Sequence, residues 1–332
     1  MTLIEPYPAA GRHPATGPSR PLPPRTRRQT PRGLLGAALG FLIALALTCR
    51  VFVSTPGGQR LDGWLLPRAE RGGGYEQRSR FLEPAKSVLT GFGDWKVLAT
   101  LLVLVFLVAL LTRRPWAGVA GVALFLCSGA GAAVLKLMVV RPDLGVEGST
   151  THNSFPSGHV AAATSLLLAF LLVLPGSARW WLAVPGGVGV SVVAAATMIA
   201  GWHRFSDVLG GVLLSAALCC LAAAASTYRR PRSARAGGGA GGSTPAGGGA
   251  GGSTPAGVRL GGFWAAAVLA VLAAEVSVML VGPMAVFAAA GSAGAGLSVA
   301  VVASTAGTMV VVTLVSFLLR AVDDHHNPRE LR

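Results

Sequence analysis

Charge is scarce in this chain. Only 12% of its 332 residues are Asp, Glu, Lys or Arg, about half of what soluble globular domains carry. That excludes an ordinary water-covered surface. Lysine is nearly missing: Lys86, Lys96 and Lys136 are the only three. Cysteine is also sparse. Cys49, Cys127, Cys219 and Cys220 all fall in apolar runs, with no Cys-x-x-Cys or Cys/His spacing. Neither a disulfide framework nor a zinc site is expected, and the four read as small buried hydrophobes. No cofactor or metal is predicted. A secretory leader is lacking too, because the first apolar run starts near Gly33, after a long Pro/Arg-rich stretch, and is long enough to span a bilayer.

Apolar length is what the chain has instead. Hydrophobic residues make up 52%, and the mean hydropathy is +0.60. These values define a polytopic membrane protein. The formal charge of +15 raises nucleic acid as a partner. Its placement argues against that, since most Arg residues lie in the N-terminal tail, in loops and at span ends. The expected partner is the lipid bilayer; oligomeric state is not legible. The abundance of Ala, Gly and Arg points to a GC-rich bacterial genome.

The chain divides in order. Residues 1–32 read as a disordered, Arg/Pro-rich cytoplasmic tail. A core of six spans occupies 33–227, with apolar runs at 33–53, 95–111, 116–139, 158–174, 180–200 and 208–225. Between the first two lies a polar, amphipathic loop, 54–92, whose Leu61, Trp64, Leu65 and Leu66 suit the membrane interface. Residues 228–260 form a linker in which AGGGAGGSTP repeats identically as 236–245 and 246–255, a flexible low-complexity pattern. Two more apolar runs, 263–281 and 297–319, make an appendix over 261–320, followed by a cytoplasmic tail, 321–332. The expected fold is an all-α polytopic membrane protein with six core transmembrane helices and two extra C-terminal ones. Placing the N-terminus inside also puts Arg113, Arg114, Arg179 and the cluster Arg229, Arg230, Arg232 and Arg235 inside, as the positive-inside rule asks. The arginines of 54–92 count against it. On this orientation both termini are cytoplasmic, and 140–157 and 203–207 share the outer face of a bacterial plasma membrane.

Those two polar segments carry the chemistry. Asn153-Ser154-Phe155-Pro156-Ser157-Gly158-His159 runs straight into an apolar helix. Ser154 is the expected N-cap, with Pro156 in the first turn. Free N–H groups and the helix dipole favour an anion there. Ser157 and Gly158 let it come close, and His159 adds a titratable proton. His203 and Asp207 are four residues apart and share one helix face. A carboxylate on one ring nitrogen raises the basicity of the other, which makes His203 a candidate nucleophile towards phosphorus. His159 is then the acid for the leaving oxygen. Lys136 and Arg141 would hold the remaining phosphoryl oxygens. Each has a plainer reading: a polar interfacial pair for His203 and Asp207, a snorkelling Lys136, a topology charge at Arg141.

These residues resemble the type 2 phosphatidic acid phosphatase superfamily: Pro-Ser-Gly-His at 156–159, His-x-x-x-Asp at 203–207, and a Lys followed by Arg-Pro upstream. The resemblance covers roughly 33–227. It implies a lipid phosphate or pyrophosphate as substrate and a metal-independent reaction through a phosphohistidine. His203 is the implied nucleophile, Asp207 orients it, and His159 is the acid. Ser157 and Gly158 match phosphate contacts. The first motif departs: six residues after Lys136 the family's Arg-Pro would fall at Asp143-Leu144, whereas Arg141-Pro142 comes two residues early. The third motif expects Arg where Thr197 stands, and Arg204 is the candidate substitute. One such lost contact is worth about 2–4 kcal/mol of transition-state stabilisation. The reduced clamp gives a second reading, a phosphatase-like scaffold that binds a lipid headgroup or a protein. A third, a transporter centred on Glu275 in the seventh apolar run, rests on that one charge.

Overall fold

The computed structural model describes residues 31–65, 81–146, 152–228 and 295–323. The tails, the repeat linker, the seventh apolar run and Glu275 lie outside the described residues. Among the described residues every regular element is helical: α1 (Pro31–Thr48), α2 (Pro56–Leu65), α3 (Leu82–Gly93), α4 (Trp95–Leu111), α5 (Pro115–Met138), α6 (Gly158–Val173), α7 (Arg179–Ile199), α8 (Phe205–Tyr228) and α9 (Ala295–Asp323). Five of the described helices are long and apolar enough to cross a bilayer: α1 with the π turn that follows it, α5, α7, α8 and α9. The pair α3 and α4 makes a sixth crossing only if taken together, bent by 55° between Gly93 and Trp95. The expected all-α polytopic membrane fold is therefore what the chain forms.

α8 is the hub. Over its most apolar window 78% of the residues are buried, against 28% for α5, and it packs on α1, α5, α6 and α9. α6 is nearly as enclosed but has only 16 residues, short of the roughly 20 that a full crossing takes. The shortfall falls at its start, where the extended segment 152–157 enters the bundle with Phe155, Pro156 and Ser157 buried. On the outside of the bundle large apolar side chains face outward, Leu111, Leu137 and Met138 among them. With no water to exclude, these suit lipid tails. Trp95, Trp116 and Trp181, each within two residues of a helix start, are also exposed, as membrane-interface tryptophans are.

The segment 54–92, expected as a loop, holds two helices. Thr55 opens α2: its hydroxyl accepts the Gly58 N–H at 3.1 Å, and Pro56 takes the first helical position. α2 buries Gln59, Leu61, Asp62 and Leu65. α3 packs against α7 and joins α4 at Asp94, whose carboxylate accepts the Lys96 N–H at 2.8 Å. α9 begins against α2, with Gly296 seated on the Trp64 carbonyl, and ends beside the start of α7, where Arg320 lies 5.4 Å from the Trp180 ring centre.

Two opposite ends of the bundle can be told apart. One gathers the end of α5, the start of α6, the α7–α8 junction, α2 and the α3–α4 corner. At the other, the Arg179 Nε–H donates to the Leu171 carbonyl at 2.6 Å and the Thr112 hydroxyl donates to the Val173 carbonyl at 3.1 Å. These close the C-terminal carbonyls of α6, which would otherwise be left unpaired.

α8 lies unusually close to the segment before α6. A Cβ on Gly211 would sit 2.8 Å from the Ser157 carbonyl oxygen and 3.0 Å from the Ala161 nitrogen. Backbone cannot give way there, so Gly211→Ala should lower stability by about 1–3 kcal/mol. Gly129→Ala, where nothing lies within 4 Å, should leave it unchanged or raised. Thermal unfolding in detergent, run side by side, checks the pair.

Candidate active site

The α7–α8 junction is set by backbone geometry. α7 ends at Ile199 with Ala200 as its C-cap, and Gly201 takes φ +71°, the left-handed conformation that favours glycine at a helix end. The N–H groups of Trp202 and His203 then both donate to the Thr197 carbonyl, at 3.0 and 3.3 Å. Two residues later α8 begins. Asp207, in its first turn, reaches back to accept the Arg204 N–H at 2.9 Å, the return half of a capping box.

The same carboxylate oxygen does more. Asp207 Oδ2 accepts the Ser154 hydroxyl at 2.5 Å and lies 3.4 Å from His203 Nδ1. The Asp207 backbone carbonyl accepts the Ser157 N–H at 2.8 Å. One residue therefore joins the two polar segments that the sequence separates by two helices, α6 and α7. Its side chain is wholly buried and that of His203 nearly so, at 0% and 8% exposure. With Nδ1 turned to Asp207, Nε2 is the ring nitrogen left for chemistry.

His159 is half-buried. Its ring centre lies 6.4 Å from that of His203 and 5.6 Å from that of Trp202. Its Nε2 lies beside the α3–α4 corner, 3.8 Å from where a Cβ on Gly93 would be, and Lys136 Nζ stands 3.9 Å from the equivalent point on Gly158. Lys136, Gly158, His159 and His203 thus meet at one end of the bundle. Ser154 is not the N-cap of α6. Its hydroxyl is committed to Asp207, and Ser157 caps instead, accepting the Val160 N–H at 3.4 Å while its carbonyl accepts the Ala161 N–H at 3.0 Å. Pro156 precedes the cap.

The cations are arranged less simply. The loop after α5 turns Asp143 outward, where its carboxylate accepts the Gly145 N–H at 3.0 Å, and carries Arg141 inward to 2% exposure. Arg141 Nη2 lies 3.9 Å from Asp62 Oδ2, and none of its three side-chain nitrogens has a hydrogen-bond acceptor among the described residues. Burial, then the neighbouring charge of Arg204, pull the Arg141 pKa below its ordinary value. Arg204 is buried at 6% and interacts electrostatically with both Asp62 and Arg141. Thr197 offers no cation; its buried hydroxyl donates to the Ala194 carbonyl at 2.7 Å.

Three residues that the motifs do not name shape this site. Asp62 is wholly buried, accepting the Ser206 N–H at 3.1 Å and the Ser206 hydroxyl at 2.6 Å. Gln59, one turn earlier, donates through Nε2 to the carbonyls of Val53 and Pro142 at 2.8 and 2.9 Å. Asn153 donates through Nδ2 to the carbonyls of Lys136 and Val139 at 3.1 and 2.9 Å. The Thr55-Pro56 start signal, with polar residues three apart ahead of Leu65, was the available clue to α2; Asn153 left none. Among the described residues no three of His, Cys, Asp or Glu converge in the way a metal centre needs.

Residues 97–231 match the family model of the PAP2 superfamily. That stretch, about two fifths of the chain, holds all three motif regions, and the chain is a multi-pass helical membrane protein. A similar solved structure is the first transmembrane PAP2 type phosphatidylglycerolphosphate phosphatase from Bacillus subtilis. It is 23% identical, with a TM-score of 0.44, over 61% of this chain and 98% of that one. No curated protein matches the chain.

Asn153 ties the end of α5, and so Lys136, to the motif segment. Asn153→Ala strips the donors from two carbonyls and should cost about 1–3 kcal/mol, read as a lowered unfolding midpoint in detergent.

Proposed function

We propose that the chain is a lipid phosphate phosphatase that hydrolyses a lipid phosphate or pyrophosphate through a phosphohistidine on His203. The observation that carries this is the convergence on Asp207 Oδ2 of the His203 ring, the Ser154 hydroxyl and the Arg204 N–H, with the His159 ring alongside. A buried carboxylate on Nδ1 fixes the tautomer and makes Nε2 the basic nitrogen. The Nε2 lone pair attacks phosphorus, and the bond to the lipid oxygen breaks. His159 gives that oxygen its proton. Water then attacks the phosphohistidine, His159 takes the water's proton, and inorganic phosphate leaves as the N–P bond breaks.

The oxyanion side has matching support. The buried guanidinium of Arg141, with donors and no acceptor, suits phosphoryl oxygens. Lys136 and Gly158 lie together at the first turn of α6, where Ser157 N–H is already used by Asp207 and the N–H groups of Gly158 and His159 face outward from the helix start. Arg204 adds positive charge behind the site. A site at the end of a helical bundle suits a substrate whose tail stays in the bilayer, and the arginine distribution supports an extracytoplasmic face of a bacterial plasma membrane for that end.

One observation favours the alternative, a binding scaffold without turnover. Thr197 supplies no cation, and Arg141 is partly engaged by Asp62. The two readings part in one assay, phosphate release from a panel of lipid mono- and pyrophosphates by purified protein with chelator present. Hydrolysis predicts release that falls to background in His203→Ala and by about 10²–10⁴-fold in His159→Ala. No release from any lipid by folded wild-type protein supports the scaffold.

A further inference from the structure

We propose that Asp62 is a positioning residue for the phosphate clamp: from α2, outside the matched family segment, it holds the Arg141 guanidinium in register with His203. This rests on the phosphatase reading of the same site and explains how an arginine two residues out of place in the motif is held there.

Helix α2 grips the loop after α5 at two adjacent residues. Gln59 Nε2 binds the Pro142 carbonyl at 2.9 Å, and the Asp62 carboxylate faces the Arg141 guanidinium at 3.9 Å. Gln59 is itself anchored on the Val53 carbonyl at 2.8 Å. Asp62 in turn is docked on the first turn of α8 through the Ser206 N–H and hydroxyl, where the helix dipole favours a carboxylate. Ser206 lies between Arg204 and Asp207. The result is a rigid chain: Arg141, Asp62, Ser206, then Asp207 and His203. At 3.9 Å the Arg141 contact is an ion pair and not a hydrogen bond, so it sets where the guanidinium sits without using up its donors.

A plainer role competes, because Asp62 also caps α8 from another helix. The two roles separate by charge. Asparagine still accepts the Ser206 N–H through its side-chain oxygen, yet it offers Arg141 no counter-charge. The charge is also titratable. Burial, then the Asp207 carboxylate, push the Asp62 carboxyl up to about 6, with Arg204, Arg141 and the Ser206 hydrogen bond pulling it back. The groups facing this cluster are Asp207 from α8, Arg204 from the α7–α8 junction, Arg141 from the loop, and Cys49 of the π turn beside Arg141. As pH falls through about 6, Asp62 takes up a proton and Arg141 loses its partner.

The test is binding of inorganic vanadate, a mimic of five-coordinate phosphorus, to detergent-solubilised full-length protein, with lipid phosphate hydrolysis beside it. Wild type, Asp62→Asn, Arg141→Met and the double variant form a cycle. At pH 7.5 Asp62→Asn should weaken vanadate and lower kcat by about ten-fold or more, with KM changed only a few-fold. In the Arg141→Met background it should change either by less than about two-fold. Wild-type vanadate affinity should fall between pH 7 and 5, and Arg141→Met should lack that limb. Effects that multiply independently, or wild-type affinity with no limb near pH 6, would overturn the proposal in favour of a capping role. The pH limb decides even if Asp62→Asn fails to fold. Wild type that binds no vanadate defeats the phosphate site itself. Vanadate binding that Asp62→Asn leaves intact defeats this inference alone.

Discussion

A single buried carboxylate holds one end of this bundle together. Asp207 receives a side chain and a backbone N–H from the segment before α6, the N–H that starts its own helix, and the ring of His203. In water each of these contacts is worth little, because solvent competes for every donor. In a site with 0% exposure the alternative for each group is an unmet hydrogen bond, so the arrangement is strongly specified. The close approach of α8 to α6, through Gly210 and Gly211, brings Asp207 within reach. Packing and electrostatics therefore set the same geometry.

The charges behind Asp207 are arranged as an alternating cluster: Asp62, Arg141, Arg204 and Asp207, all at 6% exposure or less. Burying four charges is costly, and their mutual attraction offsets that cost without making the cluster a source of net stability. Such clusters persist where geometry matters more than stability. Here they hold two guanidiniums and an imidazole at fixed positions beside an anion-favouring helix start. The bilayer contributes by keeping the rest of the bundle apolar, so the fields of these few charges are weakly screened.

The fold class was legible from the sequence because span length and apolarity are one-dimensional signals. The helices at 95–111, 158–173 and 179–199 follow the apolar runs within a residue or two. The segment 54–92 was misjudged for a physical reason. α2 is short and nearly neutral in hydropathy, and its buried face carries Gln59 and Asp62, which a reading based on apolar periodicity assigns to solvent. Ser154 was misassigned because a serine before a helix is most simply a cap. Its actual partner lies 53 residues on, beyond both α6 and α7, and no local pattern reveals that. The pairing of His203 with Asp207 was legible, since both sit within one turn. The burial of Arg141 beside Asp62 was not, since it depends on a contact between helices far apart in sequence.

The proposed reaction puts all catalytic weight on one ring nitrogen, His203 Nε2. The most direct measurement is to quench the protein in alkali during turnover of a lipid phosphate labelled in the phosphoryl group, then map the label by peptide mass spectrometry. An acid-labile, alkali-stable label on His203 that is absent in His203→Ala is the expected result. Phosphate release at full rate with no label on His203, or turnover that survives His203→Ala, would contradict the account.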